Sequence, residues 1–256
     1  MMIPHMGKEM EKKYLIKATE PQTNEEADEK AYLAIVREVR ALDRIEEYLI
    51  SGYTKKERNY RYFDTFDTGL AKSQVVAYVG PLEERGISAS LRKRENDYVL
   101  AVKFPRSTVA DEREELEFPL PAEVAFDELN PEDFAFWQPL KRAKQFGGNK
   151  PLVEIVRLMV TTHRFDLDLE NEKKVQVALD SVEVINPFTK KKFYELEVER
   201  LENGENSDVE EVCSYFTDKY KKQLFISPSP KWIKAHRLLR GEKLEAKEPD
   251  NEDIPF

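Results

Sequence analysis

From Glu9 to about Lys17 the chain alternates, with Met10, Tyr14 and Ile16 on one side and Glu9, Glu11, Lys13 and Lys17 on the other, which predicts an opening strand. The period then changes. Across residues 25–50, Tyr32, Ile35, Val36, Val39, Leu42, Ile45 and Leu49 form an apolar stripe at helical spacing, and Ser51-Gly52 closes the helix. Such a stripe is expected to pack on a sheet. Beyond Gly52 the pattern is strand-rich, with strands expected at Arg58–Asp67, Ile87–Lys93, Tyr98–Phe104, Arg113–Phe118, Leu152–Leu167, Lys174–Val184 and Phe193–Leu201. Asn96-Asp97 reads as a hairpin turn, and Asn186-Pro187 as the turn before the last strand. The stretch from Pro121 to Asn149 is mixed; Phe134, Phe136 and Trp137 are expected to cap one end of the fold, with a loop at Gly147-Gly148-Asn149. Asp208–Leu224 reads as a second amphipathic helix, and Gly241–Phe256 as a disordered acidic tail. About eight strands with two or three helices, mostly antiparallel and without a strand-helix-strand rhythm, predict an α+β or barrel plan. Residues 1–8 read as a leader and 9–240 as one domain.

Composition narrows the classes. The 256 residues carry 41 Lys plus Arg against 50 Asp plus Glu, a formal charge of −9, with 36% charged and 40% apolar residues. That apolar share is enough for a core. No run approaches the roughly 18 apolar residues that span a bilayer, and the N-terminus lacks a signal-peptide core, so a cytoplasmic protein is expected. A net acidic chain is a poor wrapper of duplex nucleic acid. Cys213 is the single cysteine, which excludes an intramolecular disulfide and a Cys-rich zinc site; its spacing with Val209, Val212 and Phe216 places it in a core. His5, His163 and His236 are too scattered for a zinc or triad motif and read as surface residues. With nine glycines there is no Gly-rich phosphate loop, so any phosphate site must be built from side chains.

The charges supply such a site. Residues two apart in a strand share a face, and several strands carry charge along one whole face. These are Glu9, Glu11 and Lys13; Arg92 and Arg94; Lys103; Arg113, Glu115 and Glu117; Arg157; Asp180; and Glu195, Glu197 and Glu199. The opposite faces are apolar: Leu91; Leu100, Val102 and Phe104; Leu116 and Phe118; Leu196 and Val198. Any one of these strands would pass as an ordinary half-solvated strand. Together they are sorted by sign, which costs energy unless counter-charges intervene. Clustered carboxylates favour a hard divalent cation such as magnesium or manganese, and clustered Arg and Lys favour a polyanion. Inside a closed sheet, the two would meet in one hydrated lumen.

Glu9-x-Glu11-x-Lys13 resembles the signature of the CYTH superfamily, the triphosphate tunnel metalloenzymes. The resemblance continues in order through Tyr62-Phe63-Asp64-Thr65, Leu91-Arg92-Lys93-Arg94, the Lys103 strand, Arg113-x-Glu115-x-Glu117, Ala178-Leu179-Asp180 and Glu195-Leu196-Glu197-Val198-Glu199. It spans about residues 9–240. It implies an α+β fold, an antiparallel eight-stranded β-barrel tunnel with flanking helices. The family includes inorganic and thiamine triphosphatases, RNA triphosphatases and class IV adenylyl cyclases. The resemblance implies Mg2+ or Mn2+ held by Glu9, Glu11, Glu197 and Glu199, with Glu195 able to replace either of the last two. It implies phosphates gripped by Lys13, Arg92, Arg94 and Lys103, with Arg113 also a substrate-binding candidate. Asp180 would complete the metal shell or orient water, giving Glu11, Lys13 and Asp180 as the catalytic set. Glu115 and Glu117 would anchor arginines or serve a second metal. One departure is the strand from Val153 to Leu167, where the family places two basic residues. Here Arg157 is followed on its face by Met159, Thr161 and His163, and Arg164 has the opposite parity unless a bulge brings it inward. Ser227-Pro228-Ser229-Pro230-Lys231-Trp232-Ile233-Lys234 resembles a family Ser-Pro-x-Ser-Lys element, leaving Lys231 and Lys234 both candidates for its lysine.

The expected function is a divalent-metal-dependent triphosphatase, with the triphosphate itself (inorganic, nucleoside or thiamine) left open. A class IV adenylyl cyclase making cyclic AMP from ATP is the first alternative, and a non-catalytic triphosphate-binding module, which the Arg157 strand favours, the second. Separately, Glu248 to Phe256 resembles the acidic tip of bacterial single-stranded-DNA-binding proteins. It implies a protein partner that takes Ile254-Pro255-Phe256, with the Phe256 ring in an apolar pocket.

Overall fold

The computed structural model describes residues 6–18, 25–81, 95–104, 112–121, 124–168, 174–188, 190–201, 204–227 and 229–244, with the backbone alone at 6–10, 95–97, 112, 113 and 174. Arg92, Arg94, the expected strand Ile87–Lys93 and the tail from Glu245 to Phe256 lie outside the described residues. The chain divides into two compact units, one of residues 1–9 and 58–158, the other of residues 10–57 and 159–256.

In the second unit the strands are most of β1 (Met6–Ile16), β2 (Arg44–Ile45), the first half of β3 (Tyr48–Thr65), most of β7 (Leu152–Asp168), β8 (Lys174–Val184), β9 (Lys191–Arg200) and β10 (Leu224–Ile226). Sheet order runs from β3 through β7 and β8 to β9. β9 pairs antiparallel with β1, whose other edge takes β10 at Tyr14–Ile16. Helices α1 (Glu25–Arg40) and α4 (Asn206–Lys219) cover one face. Tyr32, Ile35, Val36 and Val39 of α1 and Val209, Val212, Cys213 and Phe216 of α4 form one core with Val175, Val177, Leu179, Tyr194, Leu196 and Val198. Each such side chain, fully buried, contributes about 1.5–3 kcal/mol before entropy is counted. α1 carries Glu25, Glu26 and Asp28 in its first turn and Arg37 and Arg40 in its last, the polarity its dipole favours. α4 starts in a capping box, where Glu205 N–H donates to Asp208 Oδ2 at 2.7 Å. A last helix, α5 (Lys231–Leu239), begins after Pro230 and buries Trp232, Lys234 and Ala235.

In the first unit, β3, β4 (Val76–Pro81), β5 (Glu95–Lys103) and β6 (Glu112–Pro121) pair antiparallel in that order. Their apolar face, including Phe63, Ala77, Val79, Leu100, Val102 and Leu116, packs with Leu140 and Ala143 of α3 (Gln138–Phe146). The short α2 (Gly69–Lys72) meets the end of α3, where a Cβ on Gly69 would lie 2.9 Å from Gly147 Cα. Glycine at both positions lets the backbones touch. Phe134 and Trp137 are buried, but Phe136 is 68% exposed.

The fold is α+β, a mostly antiparallel sheet with flanking helices, as the sequence implies. Ten strands are described rather than eight. The unexpected β4 has six residues, and its Val-Ala-Tyr-Val run lacks the apolar-polar alternation that marks the other strands; β2 and β10 are shorter still. The first helix ends at Arg40 and not at Ser51. Ile45 and Leu49 belong to a hairpin, with Glu46 at φ 49°, and their helical spacing is coincidental. Gly52 lies within β3 at φ 59°, where a Cβ would come 2.7 Å from Asp166 Oδ2, so it marks a close approach and not a helix stop. Asn96-Asp97 sits inside β5 rather than at a hairpin turn; the irregularity there is a register shift between Glu95 and Val99. His163 is buried, not on the surface. Among the described residues, no helix is long and apolar enough to cross a membrane.

Candidate functional site

The apolar core takes Tyr194, Leu196 and Val198 of β9, so strand alternation puts Glu195, Glu197 and Glu199 on the opposite face. Register then fixes their neighbours. Asp180 of β8 and Leu15 of β1 flank Glu195, Ala178 and Lys13 flank Glu197, and Gln176 and Glu11 flank Glu199. Three strands thus present one charged face, all within the second unit.

Helix α5 supplies the missing positive charge. Lys231 and Lys234 are three apart, so they project from the same side of the helix. Lys231 Nζ lies 2.6 Å from Glu197 Oε1, 2.9 Å from Asp180 Oδ2 and 3.6 Å from Glu195 Oε2. Lys234 Nζ donates to Glu195 Oε1 and, at 3.4 Å, to the Ser227 carbonyl. Lys13 Nζ bridges Glu11 Oε2 at 2.9 Å and Glu197 Oε1 at 3.0 Å. Four carboxylates and three ammoniums form one network, and Glu199 stands in register beside it. Both lysines expected in the Ser-Pro element therefore reach this face, but at different depths. The Lys234 side chain is 2% exposed and that of Lys231 13%.

Burial and charge compete across the network. Burial opposes ionisation of Glu197, yet Lys13 and Lys231 outweigh it and hold the carboxyl well below the usual range. For Lys231, burial works against the ammonium, but Asp180, Glu197 and Glu195 raise its pKa well above the usual value. Lys234 goes the other way. Its burial lowers the pKa, and the attraction of Glu195 does not recover it, with Lys13 and Lys231 adding repulsion.

The donor set suits a hard divalent cation. Asp180 is 3% exposed and Glu195 0%, and Asp180 Oδ1 and Glu195 Oε2 are buried oxygens that find no hydrogen-bond donor among the described residues. Carboxylate oxygens in that condition call for a cation or an ordered water. As they stand, no group of three or more His, Cys, Asp or Glu among the described residues is placed to hold a metal ion. Ammoniums sit between the carboxylates instead.

The first unit holds a second charged set. Glu115 Oε2 lies 3.1 Å from Lys103 Nζ, and Glu115 Oε1 accepts from the Tyr78 hydroxyl at 2.6 Å. Burial, then the charge of Glu115, raises the Tyr78 phenol well above its usual pKa, so it stays a donor. Glu117 shares this face, two residues on. Tyr78 packs against Tyr62 at 5.6 Å and Tyr60 at 6.1 Å between ring centroids. Arg157 is engaged by Glu154 and Asp127, and Glu154 also accepts from Arg61 Nε at 2.6 Å. Side chains of Glu9 and Arg113, and all of Arg92, Arg94 and Phe256, lie outside what is described.

On β7 the alternation breaks at Thr162 and His163, both buried in succession, before Phe165 and Leu167 resume it. Arg164 thereby shares parity with Asp166, which accepts from Gln176 at 2.6 Å, and Gln176 stands opposite Glu199. The break moves Arg164 onto the side that simple alternation denied it. His163 turns instead to Tyr53, whose hydroxyl lies 2.8 Å from Nδ1. Sequence reasoning missed Tyr78 and the three-carboxylate grip on Lys231. The first looks like any strand tyrosine, and the second depends on where α5 docks.

No protein-family model matches the sequence, and no curated protein matches it. Solved structures do. The chain is similar in fold to HpAC1 from Hippeastrum, a candidate adenylyl cyclase that reveals a dominant triphosphatase activity, with TM-score 0.53 and 14% identity over 92% of this chain and 97% of that one. It is also similar to a candidate adenylate cyclase from Bacillus halodurans, with TM-score 0.50 and 14% identity over 88% of this chain and 95% of that one. What these likenesses establish is the shared α+β fold, traced over nearly the whole of each chain.

Proposed function

We propose that the protein is a divalent-metal-dependent hydrolase of a triphosphate. The observation that carries this reading is the in-register array in which Lys13 and Lys231 share Glu197, with Glu11, Glu199, Asp180 and Glu195 around it. Such a face offers oxygens to a hard cation and ammoniums to phosphate at one place. The fold likeness to a protein with triphosphatase activity supports it.

Glu11, Glu197 and Glu199, with Asp180 and Glu195, would hold Mg2+ or Mn2+. Bound there, the metal would supply Lewis-acid stabilisation of charge on the phosphate oxygens. The chain does the rest. Lys13 and Lys231, with Arg164 as a further candidate, would neutralise the triphosphate and orient it. Asp180 Oδ1, lacking a hydrogen-bond donor among the described residues, would accept a proton of the attacking water. Water oxygen bonds to the terminal phosphorus, the bridging P–O bond breaks, and orthophosphate leaves with the corresponding diphosphate, which is pyrophosphate when the substrate is tripolyphosphate. Catalysis of this kind rests on positioning and electrostatics.

The names of the two fold relatives favour one second reading, an adenylyl cyclase in which a ribose hydroxyl replaces water. Purified protein with Mg2+ or Mn2+ and tripolyphosphate, ATP or thiamine triphosphate separates the two. Orthophosphate release without cyclic nucleotide is expected. Cyclic AMP with pyrophosphate from ATP selects the cyclase, and no turnover of any of the three overturns both.

A further inference from the structure

The two lysines of α5 sit in one network but are built differently. Lys234 is sunk against Glu195 and the Ser227 carbonyl, at 2% side-chain exposure, as a fixed counter-ion. Lys231 is more accessible, at 13%, and faces an oxygen from each of three carboxylates at 2.6, 2.9 and 3.6 Å. An ammonium among three carboxylate oxygens stands where a hard cation would find its ligands. It also sits at the end of a flexible four-carbon stem in the first helical position, so Nζ can swing away by side-chain rotation while Trp232 and Ala235 stay packed. Two cations within a few ångströms of one another repel, so the carboxylates cannot serve both fully.

We propose that Lys231 is the resident counter-cation of Asp180, Glu195 and Glu197, which a divalent metal displaces on binding, and that a triphosphate favours the exchange by receiving the released ammonium. The second half of this inference rests on the triphosphate reading above; the first does not. The buried oxygens Asp180 Oδ1 and Glu195 Oε2 explain why the exchange is favourable at all, because Lys231 satisfies only part of the set. A divalent ion would bring twice the charge to the same oxygens. By linkage, whatever raises metal affinity by drawing Lys231 away is itself bound more tightly when metal is present.

The test uses the full chain and Mn2+ alone, with free Mn2+ read by electron paramagnetic resonance. Lys231→Met is expected to bind Mn2+ at least about tenfold more tightly than wild type, within the usual range of coupling between two ligands. Lys231→Arg, which keeps the charge, is expected to stay near wild type. Equal or weaker Mn2+ binding by folded Lys231→Met overturns the proposal. Should that variant not fold, the wild type decides. Trace acetylation read by mass spectrometry is expected to rise at Lys231 and stay constant at Lys234 when Mn2+ is added, and unchanged labelling at Lys231 overturns the displacement. The two readings fail separately. Tripolyphosphate hydrolysis with no change in Mn2+ affinity removes the displacement and leaves the hydrolase. Displacement without turnover of any triphosphate leaves Lys231 as the counter-cation and removes the hydrolase.

Discussion

Glu197 on β9 faces Lys13 on β1 in register, and its Oε1 lies between that ammonium at 3.0 Å and Lys231 at 2.6 Å. One carboxylate oxygen thus joins a lysine of the first strand to a lysine of the last helix. Their attraction outweighs the burial of Glu197, which keeps the group ionised through the neutral range.

Replacing that charge tests both stability and chemistry. Glu197→Gln leaves two enclosed ammoniums sharing an amide, and the unfolding free energy should fall by about 3 kcal/mol, as when one partner of a buried pair is removed. Orthophosphate release from tripolyphosphate should drop by at least about 100-fold, the loss typical of a removed electrostatic contact in a reacting centre. Urea unfolding and a phosphate assay report the two separately. A variant that keeps its turnover at saturating Mn2+ would take Glu197 out of the reaction.

Lys234 offers the contrasting case. Lys234→Met strands the fully buried Glu195 and should cost about 3–5 kcal/mol, while Lys234→Met combined with Glu195→Leu should recover most of that loss. A double-mutant cycle by denaturant titration measures the coupling. A double variant no more stable than the single would show that Glu195 is held mainly by Lys231.

The charged face was legible because alternation is a two-residue rule, and Glu195, Glu197 and Glu199 alternate with Leu196 and Val198 whatever the rest of the fold does. The α1 stripe was legible as far as Arg40. It over-ran because Ile45 and Leu49 happened to fall on helical spacing while belonging to a hairpin. The side on which Arg164 lies was not legible, since the parity break at Thr162-His163 carries no glycine or proline to announce it. Nor was the division between Lys231 and Lys234, which follows from the docking of α5 against β9, a long-range contact that local pattern does not encode.

His163 gives the fold a pH dependence. Burial pushes its pKa below the ordinary 6.5, Lys55 and Arg40 push it further, and Asp180 opposes them. Well above about pH 6.5 both folded and unfolded imidazole are neutral, and the contribution is whole. Below it, the unfolded chain binds the proton first, so stability falls with falling pH until the folded pKa is passed. Wild type should therefore lose more stability than His163→Gln between pH 7 and pH 5. Parallel urea titrations check it, and identical pH slopes would show that the imidazole protonates equally easily in both states.

Asp64 belongs to the Tyr-Phe-Asp-Thr stretch that suggested the family, yet its surroundings are structural. The carboxylate is fully buried and accepts the backbone N–H groups of Thr65 at 2.6 Å, Leu70 at 2.8 Å and Ala71 at 3.0 Å. It folds the turn between β3 and α2, where Thr65 Oγ1 also accepts from Gly69 N at 2.7 Å. Asp64→Ala strands three donors and should cost about 3 kcal/mol, since bonds to a charged acceptor are worth about 1.5–3 kcal/mol each and water can reclaim part of the loss. Asp64→Asn keeps one acceptor oxygen and should cost less. At a temperature where both variants are folded, kcat for tripolyphosphate should change less than twofold, roughly within what a purely structural residue produces. A large fall in kcat with unchanged stability would reverse the assignment and move Asp64 from the turn into the chemistry.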